Sequence, residues 1–168
     1  MITAAPPEID APDLSPPDLS PPMAVLPEWI DHSGHMNRAF YGVLFDKGSS
    51  HVFRRIGFGP AYRAQYQRTT FAGEFWVRYF SELRLGDRVR CSFRLLDVGP
   101  KSFHFAQELL RGDGRLVATS EKISLNIDTN GPRVAPYLPE ILARLQALQK
   151  EQAQLPRPDW VGRKMGLR

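Results

Sequence analysis

Apolar residues return every third or fourth position from Tyr41 through Leu44, Phe45, Gly48, Val52 and Ile56. That period lays one apolar face along a helix of about five turns. The spacing predicts a helix over 38–56, with Asn37 as its N-cap and Gly57, Gly59 and Pro60 stopping it. Gly48 lies on the apolar face, where glycine costs about 1 kcal/mol relative to alanine. Something is therefore expected to pack very close to the helix there, and a sheet lying across it would do so.

After a short connecting segment through Tyr66 the period changes from helical to alternating. Thr70–Leu83, Asp87–Val98, Ser102–Arg111 and Arg115–Ile127 read as four long strands, divided by turns at Gly86-Asp87, Gly99-Pro100 and Gly112-Asp113-Gly114. Short turns between successive strands predict antiparallel neighbours in chain order. Met23–Ile30 reads as a short first strand that Pro27 confines to an edge or a bulge, and Pro139–Gln152 as a last helix with Ile141, Leu142, Leu145 and Leu148 on one side. A long antiparallel sheet needs one face covered, and the helix over 38–56 is the only early one broad enough. The expected fold is α+β, a long central helix wrapped by an antiparallel sheet of about five strands.

The pattern lapses at both ends. Residues 1–22 are dominated by proline and hold a tandem Pro-Asp-Leu-Ser-Pro unit at 12–16 and 17–21, which reads as a disordered arm. A single domain then occupies 23–152, followed by a basic tail at 153–168. With 168 residues and 42% hydrophobic, the chain supports one such core.

Charge adds a partner class. The net charge is +4, but no Lys or Arg precedes Arg38, and from there 22 basic residues face 12 acidic ones, a net +10. That excess suits a polyanion, either nucleic acid or a phosphate-rich ligand such as a coenzyme A ester. No zinc-finger, helix-turn-helix or RNA-recognition pattern supports nucleic acid. Cys91 is the single cysteine, so an internal disulfide is excluded and a reducing, cytoplasmic setting is expected, with no membrane span or signal peptide.

The chemistry concentrates between Trp29 and Tyr41, where one carboxylate, two imidazoles, a glycine and an asparagine precede the helix. A carboxylate there should stay ionised, and backbone N–H groups at a helix start can polarise a carbonyl. Asp31, His32 and His35 do not suggest a metal site, because Gly34 separates the histidines before the helix begins. No Gly-x-Ser-x-Gly elbow supports a serine triad.

Three segments carry a family resemblance: Asp31-x-x-Gly34-His35-Met36-Asn37, Glu82-x-x-x-Gly86-Asp87 and Gly99-x-Lys101-Ser102. They resemble the 4-hydroxybenzoyl-CoA thioesterase-like acyl-CoA thioesterases of the hot-dog fold. Within that superfamily the chain looks like the thioesterases of carnitine and betaine catabolism. They share a Trp-Ile-Asp-x-x-Gly-His-Met opening, a glutamate where Glu74 stands, and an ending like Leu155-Pro-Arg-Pro with Gly162-Arg163. The similarity spans about residues 26 to 165.

The resemblance implies hydrolysis of an acyl-CoA thioester to a free acid and coenzyme A, with Asp31 as general base or nucleophile. It implies that Gly34, His35 and Met36 supply oxyanion donors, and that sites form between two subunits of a homodimer or a larger assembly of dimers. No cofactor is expected beyond the coenzyme A of the substrate. Asn37, Tyr41, Glu74 and Trp76 are substrate-binding candidates; Glu74, Phe75, Trp76 and Tyr79 on one strand, with Trp29 expected nearby, would suit a trimethylammonium group by charge and cation–π attraction, with core or subunit-interface packing of Trp76 as the alternative. Lys101 and Arg133 are candidates for the coenzyme A phosphates, and Asp46 on the helix is a reserve carboxylate. The alternative is a non-catalytic hot-dog module that holds a CoA ester or another polyanion.

Overall fold

The computed structural model describes residues 18–166; the first Pro-Asp-Leu-Ser-Pro unit lies outside the described residues. The predicted helix is present as α1 (Ala39–Ile56), and Tyr41, Leu44, Phe45, Gly48, Val52 and Ile56 are all buried on one face. Gly57 ends it with φ of 105°, a conformation that favours glycine. The segment after it, expected as a plain connection, forms a seven-residue helix α2 (Pro60–Tyr66) because Pro60 fits the first helical turn.

The sheet contains β1 (Asp18–Leu19), β2 (Met23–Ala24), β3 (Arg68–Tyr79), β4 (Arg88–Val98), β5 (Ser102–Arg111), β6 (Leu116–Asp128) and β7 (Arg133–Val134). Four strands are long, and three have two residues. A last helix, α3 (Pro139–Glu151), packs Ile141, Leu145 and Leu148 against the sheet and the end of α1. No helix among the described residues is long and apolar enough to cross a membrane.

Two expectations need correction. Strand order is β1-β4-β5-β6-β3, so β3 pairs with β6 and not with its successor β4. The free side of β4 is taken by β1 and β2, while residues 80–87 form a link that passes the start of α1. Alternation reads the same whichever neighbour a strand takes, which is why the sequence misleads here. The expectation of disorder also fails for the described part of residues 1–22: Asp18 and Leu19 form β1, and Ser20 is buried. As Pro27 foretold, the first strand is cut short, and Pro27 opens a 3-10 turn through Trp29.

Gly48 sits where α1 crosses β4. A Cβ at this position would lie 2.6 Å from Cys91 Sγ and closer still to Cys91 Cβ. On one side of the crossing, Tyr41, Leu44 and Phe45 pack with Val25, Trp29, Met36 and Leu83. On the other, Val52 and Ile56 pack with Phe58, Phe93, Phe103, Phe105 and α3.

Asn126 is fully buried near the far end of the sheet, and its groups are matched. Its Oδ1 accepts from Tyr62 Oη at 2.9 Å, and Nδ2 donates to Ala135 O and Pro136 O at 2.9 Å each. The tail after α3 lies on the sheet face opposite α1, where Trp160 Nε1 donates to Glu108 Oε1 at 3.3 Å and Gly162 N–H to Glu121 Oε2 at 2.8 Å.

Candidate active site

The chain turns sharply between the 3-10 turn and α1. Ile30 and Met36 form an antiparallel bridge, Asp31 N–H donates to His35 O at 3.0 Å, and Asn37 N–H donates to Trp29 O at 2.9 Å. Gly34, with φ of 80°, supplies the left-handed residue that closes this loop. The 80–87 link then clamps it. Met36 N–H donates to Leu83 O at 2.7 Å, Tyr41 Oη to Ser81 O at 3.3 Å, and His35 Nε2 lies 3.0 Å from Glu82 Oε2. Arg84 holds the other Glu82 oxygen at 2.7 Å.

Asp31 is partly exposed at the mouth of this loop. Its Oδ1 accepts the Ser33 N–H at 2.9 Å and the Ser33 hydroxyl, while Oδ2 faces Asn37 Nδ2 at 3.5 Å. The Ser33 hydroxyl, followed by the Ser33 backbone N–H, holds the carboxyl below its ordinary 3.8. The carboxylate form therefore persists through neutral pH and is lost only as pH falls below the usual carboxylate range. We expect an NMR titration of the Asp31 carboxyl carbon to show a midpoint below 3.8, and Ser33→Ala to raise it. An unchanged midpoint in that variant would show that Ser33 does not set it.

The loop narrows the choice of oxyanion donors. Gly34 N–H is committed to Asp31 O at 3.0 Å and Met36 N–H to Leu83 O, so neither points freely at a substrate. Of the three expected donors, only the His35 N–H has no acceptor among the described residues. Asn37 lies one residue before the helix cap position, and its Oδ1 accepts the Ala39 N–H at 3.0 Å. It therefore serves the helix start and faces Asp31 at once.

Other candidates lie elsewhere. Tyr41 is buried, with its ring edge-on to Tyr79 at 5.0 Å. Glu74 and Trp76 are on the β3 face opposite α1, because Phe75 between them packs on Phe45. Within one chain they are across the sheet from Asp31; Phe75 and Tyr79 are the β3 aromatics on the helix side. Trp29 is buried, stacked on Phe40 at 5.6 Å, and is not beside Trp76. Asp46 is exposed more than a turn into α1.

Lys101 and Arg133 are at the end of the sheet where α1 finishes, about 27 Å along the helix from Asp31 by its rise. Arg133 is also engaged, at 2.9 Å from an Asp128 oxygen that Arg68 meets at 3.0 Å. The Asp-x-Ser-Gly pattern also reads as a turn in which the aspartate accepts backbone N–H groups, as Asp31 does from Ser33; what sequence reasoning missed is the Ser33 hydroxyl as a second partner. It also missed Glu82 as the partner of His35, a contact with no local signal.

The chain as a whole is similar to known proteins. The family model of the thioesterase-like superfamily matches residues 25–145. The betainyl-CoA thioesterase of Pseudomonas aeruginosa is 36% identical over 144 residues, covering 85% of this chain and 91% of that protein. The L-carnitine dehydrogenase/betainyl-CoA thioesterase of Rhizobium meliloti is 29% identical over 82% of this chain but only 28% of its own length. A Staphylococcus aureus protein solved in complex with CoA superposes with a TM-score of 0.80 at 26% identity, covering 88% of this chain and 93% of that one.

Proposed function

Because the chain belongs to the thioesterase-like superfamily and is a hot-dog thioester hydrolase, we propose that Asp31 drives hydrolysis of a short acyl-CoA carrying a quaternary ammonium group. The observation that carries this reading is a carboxylate held ionised by Ser33 in the same loop as the His35 N–H, which alone of the three expected oxyanion donors has no acceptor among the described residues. Asp31 takes a proton from water as the water attacks the thioester carbonyl, or itself attacks that carbon to give a mixed anhydride that water then opens. In either route the His35 N–H faces the developing oxyanion, the C–S bond breaks, and coenzyme A leaves as its thiolate. The single buried cysteine suits a cytoplasmic setting.

The acyl group is read from two supports. The Pseudomonas aeruginosa relative is a betainyl-CoA thioesterase, and Tyr79 presents a half-exposed ring against Tyr41 at the helix start. Phe75 is less free for a cation, since Lys122 Nζ already lies 5.0 Å over its ring. The test compares betainyl-CoA with its uncharged isostere 3,3-dimethylbutyryl-CoA, reading coenzyme A release with a thiol reagent. Betainyl-CoA should be preferred by roughly tenfold in kcat/KM, and Tyr79→Ala should remove most of that preference. Equal rates on the two esters would refute the quaternary-ammonium assignment.

The enzyme is proposed to act as a dimer paired through β3. Among the described residues that edge runs twelve residues without a partner on its outer side, and Phe71, Trp76, Tyr79 and Phe80 are 52%, 47%, 49% and 49% exposed. An edge this long and aromatic invites pairing. Antiparallel pairing about a two-fold axis would put the Arg68 end of one β3 beside the Tyr79 end of the other. Lys101 and Arg133 of each chain would then approach the other chain's Asp31 loop, where they could serve the coenzyme A phosphates. Sedimentation equilibrium should show a dimer or a multiple of one, and Phe71→Glu/Trp76→Glu should give inactive monomers. A fully active monomeric variant would rule this arrangement out.

A further inference from the structure

The tandem Pro-Asp-Leu-Ser-Pro repeat plays no part in the hydrolytic reading, yet its second unit is built into the fold. Asp18 receives a two-pronged contact from Arg55 on α1, Nη1 to Oδ1 at 3.1 Å and Nη2 to Oδ2 at 3.0 Å. Its Oδ2 also accepts from Nε2 of the fully buried Gln152 at 3.1 Å. Leu19 pairs with Ser92 on the β4 edge. Ser20 N–H donates to Cys91 O at 2.8 Å, and Cys91 N–H donates back to Ser20 Oγ at 2.9 Å. Each contact is made by Asp18, by Ser20 or by the backbone, in one unbroken stretch of the pentapeptide.

Residues 12–16 repeat residues 17–21 side chain for side chain. Asp13 can meet Arg55 and Gln152, and Ser15 can meet Cys91, as Asp18 and Ser20 do. We propose that the groove formed by the β4 edge, Arg55 and Gln152 is a docking site for the Pro-Asp-Leu-Ser-Pro peptide, and that the two copies in this chain compete for it.

The arm thus has two registers five residues apart. Docking the first unit leaves residues 17–21 in the link to β2, lengthening that link from two residues to seven. Loop-closure entropy disfavours the longer link by about six- to sevenfold, so on this proposal the first unit would occupy the groove in roughly one molecule in seven or eight. Tethering both copies to the same domain makes the exchange concentration-independent.

The Cys91 amide reports on the groove, since its acceptor is the docked serine hydroxyl. In the full chain, hydrogen exchange at that amide should be nearly unchanged by Ser15→Ala and faster by less than about tenfold in Ser20→Ala, because Ser15 then takes over. Ser15→Ala/Ser20→Ala should exchange about two- to threefold faster than Ser20→Ala. Equal rates in the single Ser20 variant and the double variant would overturn the proposal. A second measurement traps the registers: Leu19→Cys/Ser92→Cys and Leu14→Cys/Ser92→Cys should each form an intrachain disulfide under mild oxidation, and Asp18→Ala should raise the yield of the second several-fold. Burial raises the pKa of the Cys91 thiol and keeps it out of the exchange. A Leu14 trap that is absent, insensitive to Asp18→Ala, or formed between chains would reject the two-register arm.

Discussion

Asp31→Asn is expected to lower kcat by about two to four orders of magnitude on every ester that the enzyme hydrolyses. Asparagine is nearly isosteric, and its Oδ1 can still accept the Ser33 N–H that Asp31 accepts at 2.9 Å. The loop should therefore hold, with Tm within about 2 °C of wild type and affinity for coenzyme A unchanged. What is lost is basicity and nucleophilicity alone. Wild-type kcat in this variant would remove Asp31 from the mechanism and return attention to Asp46. A single turnover in H2¹⁸O with enzyme in excess tests the nucleophilic role. Unlabelled first product, with ¹⁸O on the Asp31 carboxyl, establishes an anhydride that water opens at the Asp31 carbonyl; product labelled from water fits a general base or an anhydride opened at the acyl carbon, and hydroxylamine trapping of the anhydride distinguishes these two.

The second large effect is on stability. Gly48→Ala should gain about 1 kcal/mol from helix propensity, but the new methyl would overlap Cys91 Cβ and Sγ. Cys91 is fully buried in the sheet, so the clash can be relieved only by moving α1 or β4. Overpacking of this kind costs about 1–3 kcal/mol, more where backbone must shift. The expected net result is a loss of several degrees in Tm, with reduced activity because the same helix carries the Asp31 loop at its start. Cys91→Gly in the Gly48→Ala background removes both clashing atoms and should recover part of the loss. A double-mutant cycle with no coupling between the two positions would show that their close approach is not the cause.

Much of this fold is legible from local pattern. The face from Tyr41 to Ile56 marks α1, and an unfavourable glycine within it marks the crossing with β4. Ser102–Arg111 is bounded by its turns and matches the sequence reading end to end. What local pattern does not carry is pairing between distant segments. Nothing in Arg68–Tyr79 says that its partner is β6, and nothing near His35 points to Glu82. The same limit governs the site. Asp31 and Asn37 are local to one loop and were readable, whereas the occupation of Met36 N–H by Leu83 O depends on a segment far along the chain. Glu74 and Trp76 were placed on the correct strand, but the face each presents was fixed only once Phe75 was seen against Phe45.

The saturated amide of Asn126 works as a register mark for the end of the sheet. A one-residue slip of β6 would send it to the opposite face, and a two-residue slip would return it to the interior without Tyr62, Ala135 or Pro136 opposite. Either error strands polar groups that the apolar neighbours tolerate poorly. Many alignments of β6 could bury comparable hydrocarbon, but only one satisfies this side chain. The selectivity of the pairing therefore rests less on attraction in the right alignment than on the penalty in all the others.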